Sequence, residues 1–158
     1  MIAFSLGSNL GNRLENLRNA VNFLSTAGLI ISRSNVYETP AWGGVPQPDY
    51  LNACLTMEIN KNPFELLKFV KALEIKLGRV PSARWSARKI DIDIIFYEHE
   101  IVNAPELKIP HENLHNRAFV LVPLNEILPE YVHPILNISV RELLKNFADE
   151  KLTRVTNL

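Results

Sequence analysis

The sequence predicts an α+β domain in which helices pack on one antiparallel sheet, and three observations support this prediction. Patterns typical of strands and helices follow one another in the order β-α-β-β-α-β over about the first hundred residues. Segments rich in glycine and proline separate these patterns, and the last third predicts only a short helical C-terminal extension. The length of 158 residues suits one domain, so we expect a single unit, 1–158, with a ferredoxin-like core.

The first strand and the first helix are predicted from apolar spacing. Residues 1–6 are a short apolar strand, and the helix after it ends near Gly28. The apolar positions of this helix recur every three or four residues at Leu14, Leu17, Val21 and Leu24. The intervening Gly7-Ser-Asn-Leu-Gly11 lacks the Lys-Ser/Thr pair of a P-loop. We therefore expect a strand-to-helix turn capped by Ser8 or Asn9.

The remaining elements of the core follow in order. Residues 29–37 and 50–59 have the composition of strands, with an irregular segment between them that holds three prolines and two glycines. Pro63 suits the first turn of a second helix, which Gly78 ends. The apolar stripe of this helix consists of Leu66, Val70, Leu73 and Leu77. After a basic loop and a further strand, short helices are expected around residues 116–126 and 140–146.

The strand predicted at residues 89–97 contains the most informative pair of residues, Asp91 and Asp93. Strict alternation places these carboxylates on one face, about 7 Å apart at their Cα atoms. The opposite, apolar face is predicted to consist of Ile90, Ile92, Ile94 and Phe96. Two neighbouring carboxylates repel each other in a strand, and Mg²⁺ ions would offset that cost because they prefer hard oxygen ligands. Two such ions, roughly 4 Å apart, could share the pair.

Three arginines precede this strand and suggest what the aspartates face. Arg79, Arg84 and Arg88 are planar donors suited to phosphate oxygens. Together with the aspartates they predict a metal–polyphosphate site. A solvated face with ordinary Arg–Asp pairs explains the same residues, so both interpretations stay open at this point.

Two long loops, residues 38–49 and 78–88, are unusual in so small a domain and indicate binding segments. Trp42 lies in the first and Trp85 in the second. Each tryptophan suits stacking on a flat heterocycle or anchoring its loop to the core.

Composition excludes several classes of function. A formal net charge of zero argues against a broad nucleic-acid surface. Cys54 is the sole cysteine, which excludes an internal disulfide and a thiolate metal site. There is no evident signal peptide and no apolar run near the ~18 residues of a membrane span. We therefore expect a cytoplasmic monomer that binds small molecules and neither nucleic acid nor membrane.

Short motifs in a fixed order make the chain resemble the hydroxymethyl-dihydropterin pyrophosphokinase family nearly end to end. The most specific is Arg88-x-x-Asp91-Ile-Asp93. The others are Gly7-Ser-Asn-Leu10, Tyr37-Glu-Thr-Pro40, Gln47-Pro-Asp-Tyr-Leu-Asn52, Gly78-Arg79, Arg84-Trp85, Pro110-His111 and Asn116-Arg-Ala-Phe119. The resemblance implies a ferredoxin-like fold and a Mg²⁺-dependent enzyme of folate biosynthesis. Such an enzyme transfers pyrophosphate from ATP to 6-hydroxymethyl-7,8-dihydropterin and leaves AMP.

The resemblance also implies roles for individual residues. Asp91 and Asp93 would hold two Mg²⁺ ions with ATP, and together with Arg79 and Arg88 they would form the catalytic set. The phosphate and nucleotide contacts would come from Lys71, Glu74, Arg79, Trp85, Arg88, Ile94, His111 and Arg117. The pterin would lie between Tyr50 and Phe119, and the other residues of its pocket would be Thr39, Pro40, Trp42, Gly43, Asn52 and Trp85.

Structural alternatives remain for several of these residues. Glu74 could merely neutralise neighbouring arginines, Phe119 could be a core residue, and His111 could make only a backbone hydrogen bond. Family positions that here hold Pro81, Ser86 and Glu112 usually carry other residues, which leaves loop motion and ATP affinity open. A two-metal phosphodiesterase or nuclease and a non-catalytic binding module of the same fold are the rival functions.

Overall fold

The computed structural model describes residues 1–41, 44, 46–81 and 87–158. In this part of the chain, six strands form one antiparallel sheet: β1 (Ile2–Ser8), β2 (Gly28–Arg33), β3 (Asn35–Thr39), β4 (Tyr50–Ile59), β5 (Asp91–Tyr97) and β8 (Thr153–Asn157). Their order is β5-β1-β4-β3-β8, and β2 also pairs with β4. A separate small hairpin pairs β6 (Val102–Asn103) with β7 (Lys108–Ile109).

The helices cover both faces of this sheet. They are α1 (Arg13–Leu24), α2 (Pro63–Lys76), α3 (Ala118–Ile127) and α4 (Val140–Leu144), with single 3₁₀ turns at Leu114–Asn116 and Lys145–Phe147. Apolar residues of α1 and α2 form one buried cluster with β1, β4 and β5. A second cluster joins α3 and α4 to the other face. The α+β class and the helical C-terminal region are thus as predicted, and no helix in the described residues has the length and apolar character needed to cross a membrane.

The start of α1 differs from the prediction. Asn12 is the N-cap, and its side chain accepts a hydrogen bond from the Glu15 amide, whereas a cap at Ser8 or Asn9 was expected. The expectation was wrong because β1 continues to Ser8, so the turn occupies the next four residues and the cap falls at its end. Helix α2 begins as predicted at Pro63, after an Asn62–Glu65 capping box.

Two strand predictions need correction. The strand expected at residues 29–37 is interrupted at Ser34, whose hydroxyl accepts a hydrogen bond from the Cys54 amide, so that β2 and β3 pair with different halves of β4. In β5 a bulge displaces the alternation: Phe4 pairs with Ile94, but Ala3 pairs with Phe96. Phe96 therefore belongs to the cluster under α3 and not to the apolar face of Ile92 and Ile94.

Candidate functional site

The candidate site lies where the ends of β1, β3, β4 and β5 meet the start of α3. Register places Gly7 between Asp91 on one side and Asn52 on the other, and it places Ser5 opposite Asp93. A Cβ atom on Gly7 would lie 3.2 Å from the Asn52 Oδ1 atom and 3.3 Å from the Tyr50 ring. Glycine at this position therefore leaves room for both side chains above the sheet.

A cavity of about 240 Å³ opens over this row of residues. Ten of the predicted site residues line it: Thr39, Pro40, Tyr50, Asn52, Arg88, Asp91, Asp93, His111, Arg117 and Phe119. Asn52 is buried and its Nδ2 donates to the Thr39 hydroxyl at 2.8 Å, which fixes the orientation of the amide. The cavity thus combines aromatic surface, one oriented amide and a charged end.

The charged end is organised around the two aspartates. The carboxylate of Asp91 accepts hydrogen bonds from Arg79 at 3.0 Å and from Arg88 at 3.2 Å. Asp93 Oδ2 lies 3.7 Å from His111 Nε2 and 3.8 Å from Arg117 Nη1. Both side chains keep roughly a quarter of their surface exposed, 26% for Asp91 and 28% for Asp93, so they remain accessible from the cavity.

The pKa of Asp93 is raised to about 7, first by burial and then by the negative charge of Asp91, against the opposing effect of Arg117. The positive charge near Asp93 therefore does not fully offset the effects of burial and of Asp91 on this carboxyl group. Added positive charge would be stabilised there, and hard carboxylate oxygens suit Mg²⁺. Among the described residues no group of three or more His, Cys, Asp or Glu side chains is arranged to hold a metal.

His111 and Arg117 reach the site through the segment between β7 and α3. The His111 amide donates to the Ile95 carbonyl at 3.0 Å, and its Nδ1 accepts from the Asn113 amide at 3.2 Å. Burial and the nearby Arg117 lower the pKa of His111 to about 4, so the ring is neutral near pH 7. The backbone hydrogen bond named as an alternative is present, and Nε2 still faces Asp93. Burial also lowers the pKa of Arg117, whose guanidinium lies 5.6 Å from the Phe119 ring centre.

A second cavity, of about 220 Å³, adjoins the first between α2 and residues 105–108. Lys71 and Ile94, two of the predicted nucleotide contacts, line it. Asp93, His111 and Glu112 line both cavities and so lie at their boundary. Glu112, where the resemblance predicts a different residue, therefore lies within the site.

Glu74 lines neither cavity and is almost fully buried, with 2% of its side chain exposed. Its carboxylate accepts a 2.8 Å hydrogen bond from the Ile92 amide and pairs with Arg79 at 2.6 Å and with Lys71 at 3.3 Å. This is the arrangement that the charge-neutralising alternative described. A direct nucleotide contact by Glu74 stays a prediction.

Some residues of the predicted site lie outside the described residues, namely Trp42, Gly43, Arg84 and Trp85. Conversely, the first cavity includes residues that the prediction did not assign to the site: Ser5, Gly7, Gln47, Glu112 and Asn113. Ser5 and Gly7 could have been found by extending the alternation of β1 toward its end and pairing it with the aspartate strand. Gln47 begins the motif Gln47-Pro-Asp-Tyr-Leu-Asn52, but the sequence did not indicate that it lines the site.

Comparison with known proteins identifies a family that this chain matches. Residues 3–129 match the model of the family described as 7,8-dihydro-6-hydroxymethylpterin-pyrophosphokinase (HPPK). The chain is similar to 2-amino-4-hydroxy-6-hydroxymethyldihydropteridine pyrophosphokinase of Haemophilus influenzae, with 39% identity over 96% of this chain and 95% of the relative. The protein of the same description from Methylorubrum extorquens is 41% identical over 95% of each chain.

Solved structures resemble the fold. The crystal structure of Plasmodium falciparum HPPK-DHPS wild type with pteroate matches with a TM-score of 0.76 and 17% identity, over 94% of this chain and 42% of that chain. The A437G form with SDX-DHP gives a TM-score of 0.76, with 17% identity over 94% of this chain. This chain thus spans less than half the length of those two solved chains, and at such identity the likeness concerns the fold alone.

Proposed function

The chain belongs to the 7,8-dihydro-6-hydroxymethylpterin-pyrophosphokinase family, and we propose that its two adjoining cavities hold the two substrates of that reaction. The enzyme transfers pyrophosphate from ATP to the hydroxymethyl group of 6-hydroxymethyl-7,8-dihydropterin in folate biosynthesis, giving AMP and the pterin diphosphate. The single observation that supports our assignment is the position of Asp93, which with His111 and Glu112 lines both cavities.

The first cavity is the proposed pterin site. Tyr50 and Phe119 line it and offer ring surfaces for a flat heterocycle. The hydrogen bond from Asn52 Nδ2 to Thr39 leaves Oδ1 beside Gly7 as the acceptor for a donor on the pterin edge. Pro40 and Gly7 also line this cavity.

The second cavity is the proposed nucleotide site, with Lys71 and Ile94 on its wall and the phosphate chain running toward Asp93. Arg88, His111 and Arg117 lie along that path in the first cavity. Arg79 and Arg88 donate to Asp91 in the present structure, and we propose that with ATP bound they donate to phosphate oxygens instead. The interpretation of this face as a solvated surface with ordinary Arg–Asp pairs explained the same contacts. In our proposal, Arg79 and Arg88 make these contacts with Asp91 before ATP binds.

Mg²⁺ is the proposed cofactor, and Asp91 and Asp93 are the residues that would hold two ions together with ATP. The raised pKa of Asp93 supports this fit, because burial and the neighbouring Asp91 both disfavour the charged carboxylate and a bound cation would offset both effects. Bound there, the metal would neutralise phosphate oxygens as charge shifts toward the leaving group.

The reaction asks the protein mainly for positioning and electrostatic stabilisation. The hydroxymethyl oxygen of the pterin attacks the β-phosphorus of ATP, and the proton of this hydroxyl group passes to water. The bond from that phosphorus to the α–β bridging oxygen breaks, and AMP leaves with this oxygen. Arg88 and Arg117, at the charged end of the first cavity, would stabilise charge on the phosphate oxygens. A monomeric state and a cytoplasmic location stay predictions.

Product analysis tests this assignment. The protein is mixed with ATP, Mg²⁺ and the reduced hydroxymethylpterin, and the nucleotides and pterins are separated by chromatography. We expect AMP and pterin diphosphate in equal amounts, formed only when both substrates and Mg²⁺ are present. ADP, or AMP with free pyrophosphate and no pterin consumed, would contradict it, the latter favouring a hydrolase. Absence of any turnover would favour a binding module.

A further inference from the structure

The turn after β1 contains a buried polar residue, Asn9, that has no role in the transfer of pyrophosphate proposed above. Asn9 has only 2% of its surface exposed. It does not cap α1, because Asn12 does, and it lines neither cavity. A buried carboxamide needs partners, so the contacts of Asn9 indicate what the residue does.

Two of the hydrogen bonds of Asn9 join it to the backbone of Arg88. The Asn9 amide donates to the Arg88 carbonyl at 3.0 Å, and the Arg88 amide donates to Asn9 Oδ1 at 2.7 Å. Both polar groups of the Arg88 backbone are thus held by a single residue. This fixes the direction in which the Arg88 side chain leaves the chain, toward Asp91 and the first cavity.

The other two hydrogen bonds of Asn9 join it to residues 47 and 48, in the loop before β4. Asn9 Nδ2 donates to Gln47 Oε1 at 2.9 Å and to the Pro48 carbonyl at 3.0 Å. Gln47 lines the first cavity, and two residues after Pro48 the chain reaches Tyr50. The orientation of the Asn9 amide is unambiguous, since one end must accept from an N–H group and the other must donate to a carbonyl.

We infer that Asn9 is a positioning residue that holds Arg88 and the wall formed by residues 47–50 in one fixed arrangement. The inference rests on the proposed function, in which Arg88 contacts phosphate and Tyr50 contacts the pterin. One small side chain satisfies both segments at once, so neither segment shifts without breaking a hydrogen bond to the buried Asn9. Displacements of about 1 Å at reacting groups lower rates by about 10²-fold, which is why such a tie matters for turnover.

The test compares Asn9→Ala with Asn16→Ala. Asn16 is also a buried asparagine of this region, but its side chain binds Ser8 and the Leu10 carbonyl and touches neither loop. We expect Asn9→Ala to lower kcat by about 10²-fold with the KM for ATP changed less than about threefold. Asn16→Ala should keep kcat within about threefold of wild type.

Amide hydrogen exchange in the ligand-free protein gives a readout that does not depend on activity. The exchange of the Arg88 amide should speed up by at least about tenfold in Asn9→Ala and stay unchanged in Asn16→Ala. Unchanged Arg88 exchange in Asn9→Ala, or equal loss of kcat in the two variants, would overturn the inference. If the wild type makes no pterin diphosphate, the proposed function fails instead, and the exchange result still stands by itself.

Asn9→Asp serves as a second variant in case Asn9→Ala does not fold. It keeps an oxygen for the Arg88 amide but loses both donations to the loop. We expect Arg88 to stay protected, while the KM for the pterin rises by about tenfold because residues 47–50 lose their tie. An unchanged KM for the pterin would contradict the part of the inference that concerns this loop.

Discussion

Glu74, on the buried side of α2, accepts a 2.8 Å hydrogen bond from the backbone amide of Ile92, the residue between the two aspartates. The same carboxylate pairs with Arg79, which in turn donates to Asp91. Helix α2 is thereby connected to the backbone and to one carboxylate of the aspartate strand. This connection holds the strand that carries both aspartates against α2.

Glu74→Ala should destabilise the protein for this reason. The change removes the acceptor of the Ile92 amide and one partner of Arg79, and we expect the free energy of unfolding to fall by about 2–4 kcal/mol. Urea denaturation measures this. Glu142→Ala is the control, since its pair with Lys145 is exposed and should change stability by less than about 0.5 kcal/mol. Equal, small effects of the two substitutions would show that the buried connection contributes little.

Tyr50→Ala and Phe119→Ala should each weaken pterin binding by about 1–3 kcal/mol, a size taken from base–aromatic stacking, and should change ATP affinity much less. Calorimetric titration with each ligand measures both effects. Phe147→Ala is the control, because Phe147 is a partly buried aromatic of the second cluster and lines neither cavity. If pterin affinity stayed at the wild-type value while the variants merely unfolded more easily, Tyr50 and Phe119 would be core residues.

His133 should make the protein less stable in acid. It is buried, its Nδ1 accepts hydrogen bonds from the Ile135 and Leu136 amides, and His115 is the titratable ring that faces it. Burial, followed by His115, lowers the pKa of His133 below its ordinary value of 6.5. The unfolded chain then binds more protons, so this contribution to stability is complete above pH 6.5 and is lost as the pH falls toward the folded pKa.

His133→Asn tests that contribution, because the shorter side chain keeps an acceptor near the position of Nδ1. Urea unfolding at pH 7.5 and pH 5 should show a smaller loss of stability for the variant than for wild type over this interval. Identical losses would mean that His133 does not titrate differently in the folded and unfolded chains.

Regular stretches of the sequence predicted much of this fold. The bounds of β4 at Tyr50 and Ile59 and the start of α2 at Pro63 were confirmed, because apolar content, proline and capping residues act locally there. Strand β8 was missed since Thr153–Asn157 is short and polar, and it becomes a strand by pairing with β3. The predicted face of Phe96 was wrong, because the bulge in β5 arises from its pairing with β1. The alternation of residues within one strand does not reveal such a bulge.

The candidate site, like the fold, was predicted in part from the sequence. The aspartate pair was evident from one strand, because two carboxylates on one face demand a compensating charge. The contribution of Gly7 depends on β1 lying between β4 and β5, and the tie made by Asn9 depends on two loops that approach each other from distant parts of the sequence. Contacts of this kind require the folded arrangement.

We propose that Asp91 and Asp93 serve the reaction and not the fold. Asp93→Asn separates these two roles, because the substitution keeps size and polarity but removes the charge. Burial beside Asp91 makes the ionised Asp93 unfavourable, so the stability of the apo-protein near pH 8 should hold or rise. Asp91→Asn, which loses the charge that pairs with Arg79 and Arg88, should be equal to wild type or slightly less stable.

The deciding measurement is therefore kcat for AMP formation by Asp93→Asn at saturating Mg²⁺ and substrates, with urea unfolding of the same sample. We expect a loss of at least about 10²–10³-fold in kcat in a protein that remains fully folded. Turnover within a few-fold of wild type in that folded variant would contradict the assignment of the aspartate pair to the metal and the phosphates.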